Sequence, residues 1–324
     1  MRILLVTDTH GHIGRLNDLA RGKAADAIIH AGDFGFYDDT SIDRLSNREL
    51  RLRIVHSELS QREKQDVLSK TPDGQRNFVR GHLPLSDLPD FLKGEKVFET
   101  PVYAVWGNHE DLEVVKKFHT GEYQVENLHV LHEDATFHIG NLHVFGLGGN
   151  FLLGKKLFQK PLAGGSGKVW SVLEQYLRLQ EAVEVNRRDE ESRVFVSHVS
   201  PGKEAFVTLM GIHTRANLIV SGHMGPPFPM VWNDFAVREF PEALGRVKKR
   251  IEDIEQAYGS LDAGGNAHYD EALSWLADLP TDTVRVGRGG SVPTWYVNLF
   301  NVNLPDLQNG YAVLETKGGT LSIH

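Results

Sequence analysis

Five short apolar runs in this chain end in side chains that bind metals or move protons. Ile3-Leu4-Leu5-Val6 runs into Asp8 and His10, and Ala27-Ile28-Ile29 passes through His30-Ala31-Gly32 into Asp33. Tyr103-Ala104-Val105-Trp106 stops at Gly107-Asn108-His109-Glu110. Val194-Phe195-Val196-Ser197 ends in His198, and Leu218-Ile219-Val220-Ser221-Gly222 ends in His223. These end groups are Asp, Asn and His, oxygen and nitrogen donors suited to a borderline divalent ion such as Mn, Fe, Zn or Ni. One such site alone would read as a polar cap on a strand-to-helix turn. The same chemistry five times over is a pattern.

The elements that must position these groups follow from the runs themselves. Short apolar segments rich in β-branched and aromatic residues read as buried strands. Open α/β sheets collect their ligands at the carboxyl ends of such strands, so five distant segments converge on one rim. Gly107 lets the backbone turn there and approach a ligand closely. Histidines inside strands, such as His30, His138 and His143, read instead as hydrogen-bonded packing residues.

Composition sets the class. The chain has 324 residues, 40% hydrophobic and 24% charged, as expected of a soluble globular protein with a substantial core. A net charge of -8 argues against a broadly basic nucleic-acid surface. With no cysteine, neither a disulfide framework nor a thiolate zinc site can form. The four-residue apolar run before Asp8 is too short for a signal peptide, and no segment approaches the ~20 apolar residues of a membrane helix. The expectation is a soluble, cytoplasmic protein with no membrane partner.

Taken in order, a short helix is expected at Ile13–Arg21. Residues 38 to 100 are polar, with helical spacing of Leu45, Leu52, Val55 and Leu59 across Ile42–Leu68. The Pro- and Gly-bearing stretch Thr71–Pro89 reads as an exposed loop, first as a solvated one and second as a lid over the site whose basic members Arg76, Arg80 and His82 meet a phosphate. A helix is expected at Asp111–His119, a strand at Leu128–Leu131, and a β-hairpin across Gly140-Asn141. The glycine-dense loop from Gly146 to Gly167 lacks the lysine and strand-then-helix context of a P-loop. A helix near Val169–Val185 follows, then strands at Met230–Val237, Trp295–Val302, Gly310–Thr316 and Thr320–Ile323. Glu242–Gly259 is amphipathic; its basic cluster Arg246, Lys248, Lys249 and Arg250 alternates with acids, the pattern of a surface helix. One domain is expected over residues 1–324, with insertions near 38–100 and, helical, near 238–290.

Asp8-x-His10, Gly32-Asp33, Gly107-Asn108-His109-Glu110, His198 and Gly222-His223 stand in an order and context that resemble the calcineurin-like metallophosphoesterases, from residue 3 to about residue 225. The resemblance implies an α/β fold, a four-layer α/β/β/α sandwich of two mixed sheets flanked by helices, with two divalent metal ions at the rim, most often Mn2+. It implies that Asp8 and His10 bind the first metal, that Asp33 bridges both, and that Asn108, His198 and His223 complete the second. His109 would face the substrate, donating a hydrogen bond or a proton to it. Two cations held roughly 3.5–4 Å apart ready water for attack on phosphorus and neutralise charge on the phosphoryl oxygens.

One position departs from the family. Its last motif usually reads Gly-His-x-His, and here Gly225 stands in place of the second histidine. A weaker first site is expected, or one that borrows a ligand such as His12 or His213. Glu110 is shared with the protein Ser/Thr phosphatases, but Asp33 is followed by Phe34-Gly35-Phe36 rather than their further motif. Phe91-Leu92-Lys93-Gly94-Glu95-Lys96 and the insertion after Asp33 have some likeness to the RNA lariat debranching enzymes, although His10 stands where those carry cysteine. The function expected is a metal-dependent phosphodiesterase or phosphatase acting on a phosphorylated small molecule, a nucleotide or a nucleic-acid end. The alternative is a non-catalytic phosphate- or RNA-binding module with a degenerate metal site.

Overall fold

Strands form where the chain is apolar on both faces, and two sheets pack against each other through one of those faces. The computed structural model describes the chain except residues 56, 58, 166–167, 224, 226, 236–237, 261–266 and 288–289. β1 (Arg2–Val6), α1 (Arg15–Lys23) and β2 (Ala27–Ala31) open it. Before the next strand come α2 (Ser41–Arg44), α3 (Asn47–Val55), α4 (Gln61–Ser69), α5 (Pro72–His82) and α6 (Leu88–Leu92). β3 (Val102–Val105), α7 (Leu112–His119), β4 (Leu128–Val130), β5 (Phe137–Ile139) and β6 (Leu142–Leu147) follow. Then come β7 (Asn150–Phe151), β8 (Ala163–Gly165), β9 (Lys168–Ser171), α8 (Leu173–Val185), β10 (Ser192–Ser197), α9 (Phe206–His213) and β11 (Leu218–Ser221). The remainder is β12 (Met230–Trp232), α10 (Phe240–Gly259), α11 (Ala267–Ala277), β13 (Thr283–Val286), β14 (Gly290–Pro293), α12 (Thr294–Asn298), β15 (Phe300–Asn303), β16 (Ala312–Lys317) and β17 (Thr320–Ile323).

The first sheet has the order β17-β16-β1-β2-β3-β4 and the second β12-β15-β11-β10-β6-β5. β1 through β4 run parallel, as do β15, β11, β10 and β6, while β16, β12 and β5 pair antiparallel, so both sheets are mixed. Alternation along the strands divides the core. Ile3, Leu5, Ile29 and Val105 of the first sheet meet Val144, Val194, Val196 and Val220 of the second. Leu4, Val6, Ile28 and Ala104 face the helical layer that includes Leu16 and Val115, and Phe145, Phe195 and Ile219 face Leu179, Phe206 and Ile212. The layers are therefore α/β/β/α, as expected, and burial on both faces is why these strands read as continuous apolar runs.

Several expectations need correction. The single helical stretch over Ile42–Leu68 is three helices, α2, α3 and α4. The last begins at Ser60, whose hydroxyl accepts from Glu63 N at 3.3 Å while Glu63 Oε2 accepts from Ser60 N at 2.9 Å. That reciprocal cap was readable as Ser-x-x-Glu. The supposed loop Thr71–Pro89 contains α5: Pro72 occupies the helix's first turn, where a missing N–H costs nothing, and Thr71 caps it by accepting from Gly74 N at 3.2 Å. The glycine-dense stretch builds a small sheet of order β7-β9-β8, with Gly167 outside the described residues. Val169–Val185 divides into β9 and α8, and Trp295–Val302 into α12 and β15. β12 covers the first part of Met230–Val237, whose last two residues lie outside those described. On α10, Arg246 and Lys249 pair with Glu242 and Asp253, the solvated face expected.

Helices α2 to α5 have a small core of their own, Ile42, Leu50, Ile54, Val67 and Val79. The inserted segment is thus folded rather than loose, and α3 lies against the carboxyl rim of the first sheet through Glu49 and Arg53.

Candidate metal centre

Parallel pairing of β1, β2 and β3 in one sheet and of β10 and β11 in the other places the five strand ends together. The turns that follow are unusual: Asp8, His10, Asp33 and His223 all have positive φ, between 47° and 57°. Such a backbone costs of order 1–3 kcal/mol for each residue with a Cβ, and it throws these side chains back over the strand ends. Gly107 has no alternative, since a Cβ there would stand 1.8 Å from Asp33 Oδ1 and 2.1 Å from Asp33 N.

All six donors expected from the sequence come together. Asp8, His10 and Asp33 form one group, and Asp33, His198 and His223 a second, each with one potential ligand atom per residue within 4.8 Å of the others. Asp33 belongs to both. His10 lies 3.7 Å from Asp8 Oδ1 and 3.9 Å from Asp33 Oδ2, and His198 Nε2 is 3.6 Å from Asp33 Oδ1. Asn108 Oδ1 is 3.0 Å from His198 Nε2, which brings the amide to the second group. His198 Nδ1 lies 2.9 Å from Ala31 O, fixing its ring, and Thr7 donates to Asp8 Oδ2 at 2.7 Å.

The electrostatics fit a cation. Asp8 and Asp33 are 8% and 2% exposed, and among the described residues their ion-pair partners are imidazoles alone. Burial and the Asp33 charge raise the Asp8 carboxyl, against the pull of His198 and His10. Burial also opposes ionisation of Asp33, but His198, His10 and His109 hold that carboxyl well below its usual range. Burial and His198 push His223 down to about 3, leaving a neutral imidazole ready to ligate. Two buried carboxylates set among imidazole and amide donors make a pocket suited to a divalent ion.

His109 stands beside the donors. Its N–H donates to Asp33 Oδ1 at 3.0 Å, and its carbonyl accepts from Tyr37 OH. Glu49 Oε2 of α3 lies 2.9 Å from its Nδ1. Burial draws the imidazole downward, but the Glu49 hydrogen bond and the Asp33 charge outweigh it and raise its pKa. Glu110 points elsewhere: it accepts from Phe36 N at 2.7 Å, Gly35 N at 3.2 Å and Gly107 N at 3.2 Å, tying the turns after β2 and β3 together. Burial and Asp33 push that carboxyl up to about 8.

His213 and the basic residues of Thr71–Pro89 are engaged away from the centre. His213 cannot lend a donor, because it is buried in α9 with Nε2 3.1 Å from Leu276 O and its ring against Trp275. His12 is exposed and belongs to neither group that shares Asp33. Arg76 donates to Ile42 O and Leu45 O, Arg80 pairs with Asp43, and His82 stacks on Phe78, so the anticipated basic members of the lid are engaged within it. Glu49 and Arg53 reach the site instead, and nothing in a polar helical stretch marked them out. His30, His138 and His143 are hydrogen-bonded within the protein, to Thr9 and, for the last two, Glu191.

The family model for calcineurin-like phosphoesterases matches residues 1–227. The chain belongs to that family. The match covers every strand end that contributes a donor, and the chemistry of the family is metal-dependent phosphoester hydrolysis. No match was found among curated proteins. One crystal structure aligns over 100% of this chain and 98% of its own, at 13% identity and a TM-score of 0.48. A dimetal phosphatase from Danio rerio aligns over 98% of this chain and 93% of its own, at 10% identity and a TM-score of 0.39. Among the described residues, no helix is long and apolar enough to cross a membrane.

Proposed function

We propose that this calcineurin-like phosphoesterase is an active metal-dependent hydrolase with a dinuclear centre. One observation carries the reading: two donor groups meet at a single buried carboxylate, Asp33. In this reading Asp8, His10 and Asp33 hold the first ion, and Asp33, Asn108, His198 and His223 hold the second, Mn2+ being the ion expected. The ions supply Lewis acidity that readies water and neutralises phosphoryl charge. His109, kept protonated by Glu49, donates to the leaving oxygen. Glu49 acts through His109, fixing its ring and its charge. The substrate is a nucleotide, a nucleic-acid end or another phosphorylated small molecule.

Gly225 supports a second reading, a binding module with an incomplete site. A Cβ there would lie 2.3 Å from Leu304 O, so the position excludes the family's extra histidine. Three protein donors on the first ion also leave a coordination position open, however, as catalytic sites require. Turnover of 4-nitrophenyl phosphate and its bis ester with added Mn2+ separates the two readings. Hydrolysis by the wild type, abolished by Asp33→Asn and strongly reduced by His109→Ala, supports the enzyme. Mn2+ and phosphate binding without turnover supports the module.

A further inference from the structure

Glu49 and Arg53 are four residues apart on α3, a spacing at which a carboxylate and a guanidinium ordinarily pair with each other. Here they do not. Leu50 and Ile54 of the same helix are buried in the insertion's own core, which turns Glu49 and Arg53 together toward the metal centre. Glu49 takes His109, while Arg53 Nη1 donates to His10 O at 3.1 Å and Nη2 donates to Pro84 O. Both acceptors are carbonyls, and Arg53 forms no ion pair with a described carboxylate. By contrast Arg44 is spent on Asp38 and Asp111, and Arg80 on Asp43.

A guanidinium has five N–H donors in a planar fork, so with two given to carbonyls Arg53 retains three. A half-buried cation with spare donors beside two cation-binding groups fits an oxyanion. A phosphomonoester has three non-esterified oxygens, a diester only two. Two ions can take two of them, and only a monoester then has a third to offer.

We propose that Arg53, carried to the centre by the inserted helix α3, is a substrate-binding residue that takes a terminal phosphate oxygen and biases the site toward phosphomonoesters. This rests on the hydrolase reading above. It places the selectivity of the enzyme in the insertion rather than in the strand-end motifs.

The experiment compares wild type, Arg53→Gln and Arg53→Lys in Mn2+. Its readouts are KM and kcat for 4-nitrophenyl phosphate and its bis ester, inhibition by inorganic phosphate, Mn2+ affinity by calorimetry, and thermal melting. Loss of a charged hydrogen bond should raise the monoester KM and the phosphate inhibition constant of Arg53→Gln roughly ten- to a hundredfold. The loss for the bis ester should be at least fivefold smaller, Mn2+ affinity and melting should hold, and Arg53→Lys should recover part of the loss. An unchanged phosphate inhibition constant overturns the proposal, as does a parallel fall in Mn2+ affinity, which would mean that Arg53 only supports the His10 turn. Equal losses for both esters overturn the monoester preference. A wild type that hydrolyses neither ester overturns the hydrolase reading itself, an outcome distinct from an active wild type indifferent to Arg53.

Discussion

A histidine grafted at position 225 will not restore a fuller first metal shell; it will displace the chain beside it. A Cβ at Gly225 lies 2.3 Å from Leu304 O and 3.0 Å from Leu304 C, where ordinary contact begins at 3.4 Å. The obstacle is backbone, so relief requires a main-chain shift of about 1 Å rather than a rotamer change. Leu304 is fully buried, and its N–H donates to Ser221 O at 2.8 Å, two residues before His223. Its retreat therefore strains the strand end that presents a donor. Overpacking of this kind costs about 1–3 kcal/mol, and at the upper end a protein of this size should melt roughly 5 °C lower. Gly225→Ala carries the clashing atom without the imidazole, so both Gly225→Ala and Gly225→His should lose similar stability in differential scanning calorimetry. Neither should bind Mn2+ more tightly than the wild type in a calorimetric titration. A Gly225→His protein that melts with the wild type and binds Mn2+ more tightly would refute the steric argument.

Glu49→Gln should lower kcat about 10- to 100-fold with little change in KM, because it removes the carboxylate that keeps His109 protonated. The His109 pKa then falls, so the alkaline limb of the kcat profile moves to lower pH; an unmoved limb would sever Glu49 from the chemistry. Mn2+ at a hundred times its dissociation constant should stabilise the wild type by about 2.7 kcal/mol, and Asp33→Asn should lose that gain in a thermal shift measurement. Burial works against ionisation of Asp38, yet hydrogen bonds from Thr40, Tyr123 and Arg44 depress its carboxyl. A depressed carboxyl contributes stability above its unfolded pKa of about 3.9, lost as pH falls through the folded value. Urea midpoints of wild type and Asp38→Asn should thus differ at pH 7 and converge in strong acid, and a gap that persists there would exclude this linkage.

The donors were legible because each is tied to its strand end by local sequence. Asp33 follows Ala27–Ala31 within two residues, and no tertiary packing can carry it far from that strand's rim. Glu49 and Arg53 were illegible for the converse reason. Their helix meets the centre only because Leu50 and Ile54 bury into a satellite core that the sequence shows as an unremarkable polar stretch. Pro72 and Gly74 misled in another way, since residues that break a helix interior are tolerated in its first turn, where Thr71 caps them. Trp295–Val302 is apolar but for Asn298 and Asn301, and strand and helix cannot be told apart over such short lengths by periodicity.

The strained turns and the buried charges are two sides of one arrangement. The positive φ of Asp8 and Asp33 turns both carboxyls into the rim; without Asp8 the first donor group would be short of a ligand, and without Asp33 both would be. Held as they are, they leave burial opposing the ionisation of both carboxyls, with imidazoles as their ion-pair partners among the described residues. A divalent ion held there would compensate the buried carboxylates, and the strained turns would be the cost of holding it. Folding that stores strain at four residues in three turns of one rim is costly in a protein whose purpose is only to pack. It is coherent in one whose rim must hold cations and stay open toward α3.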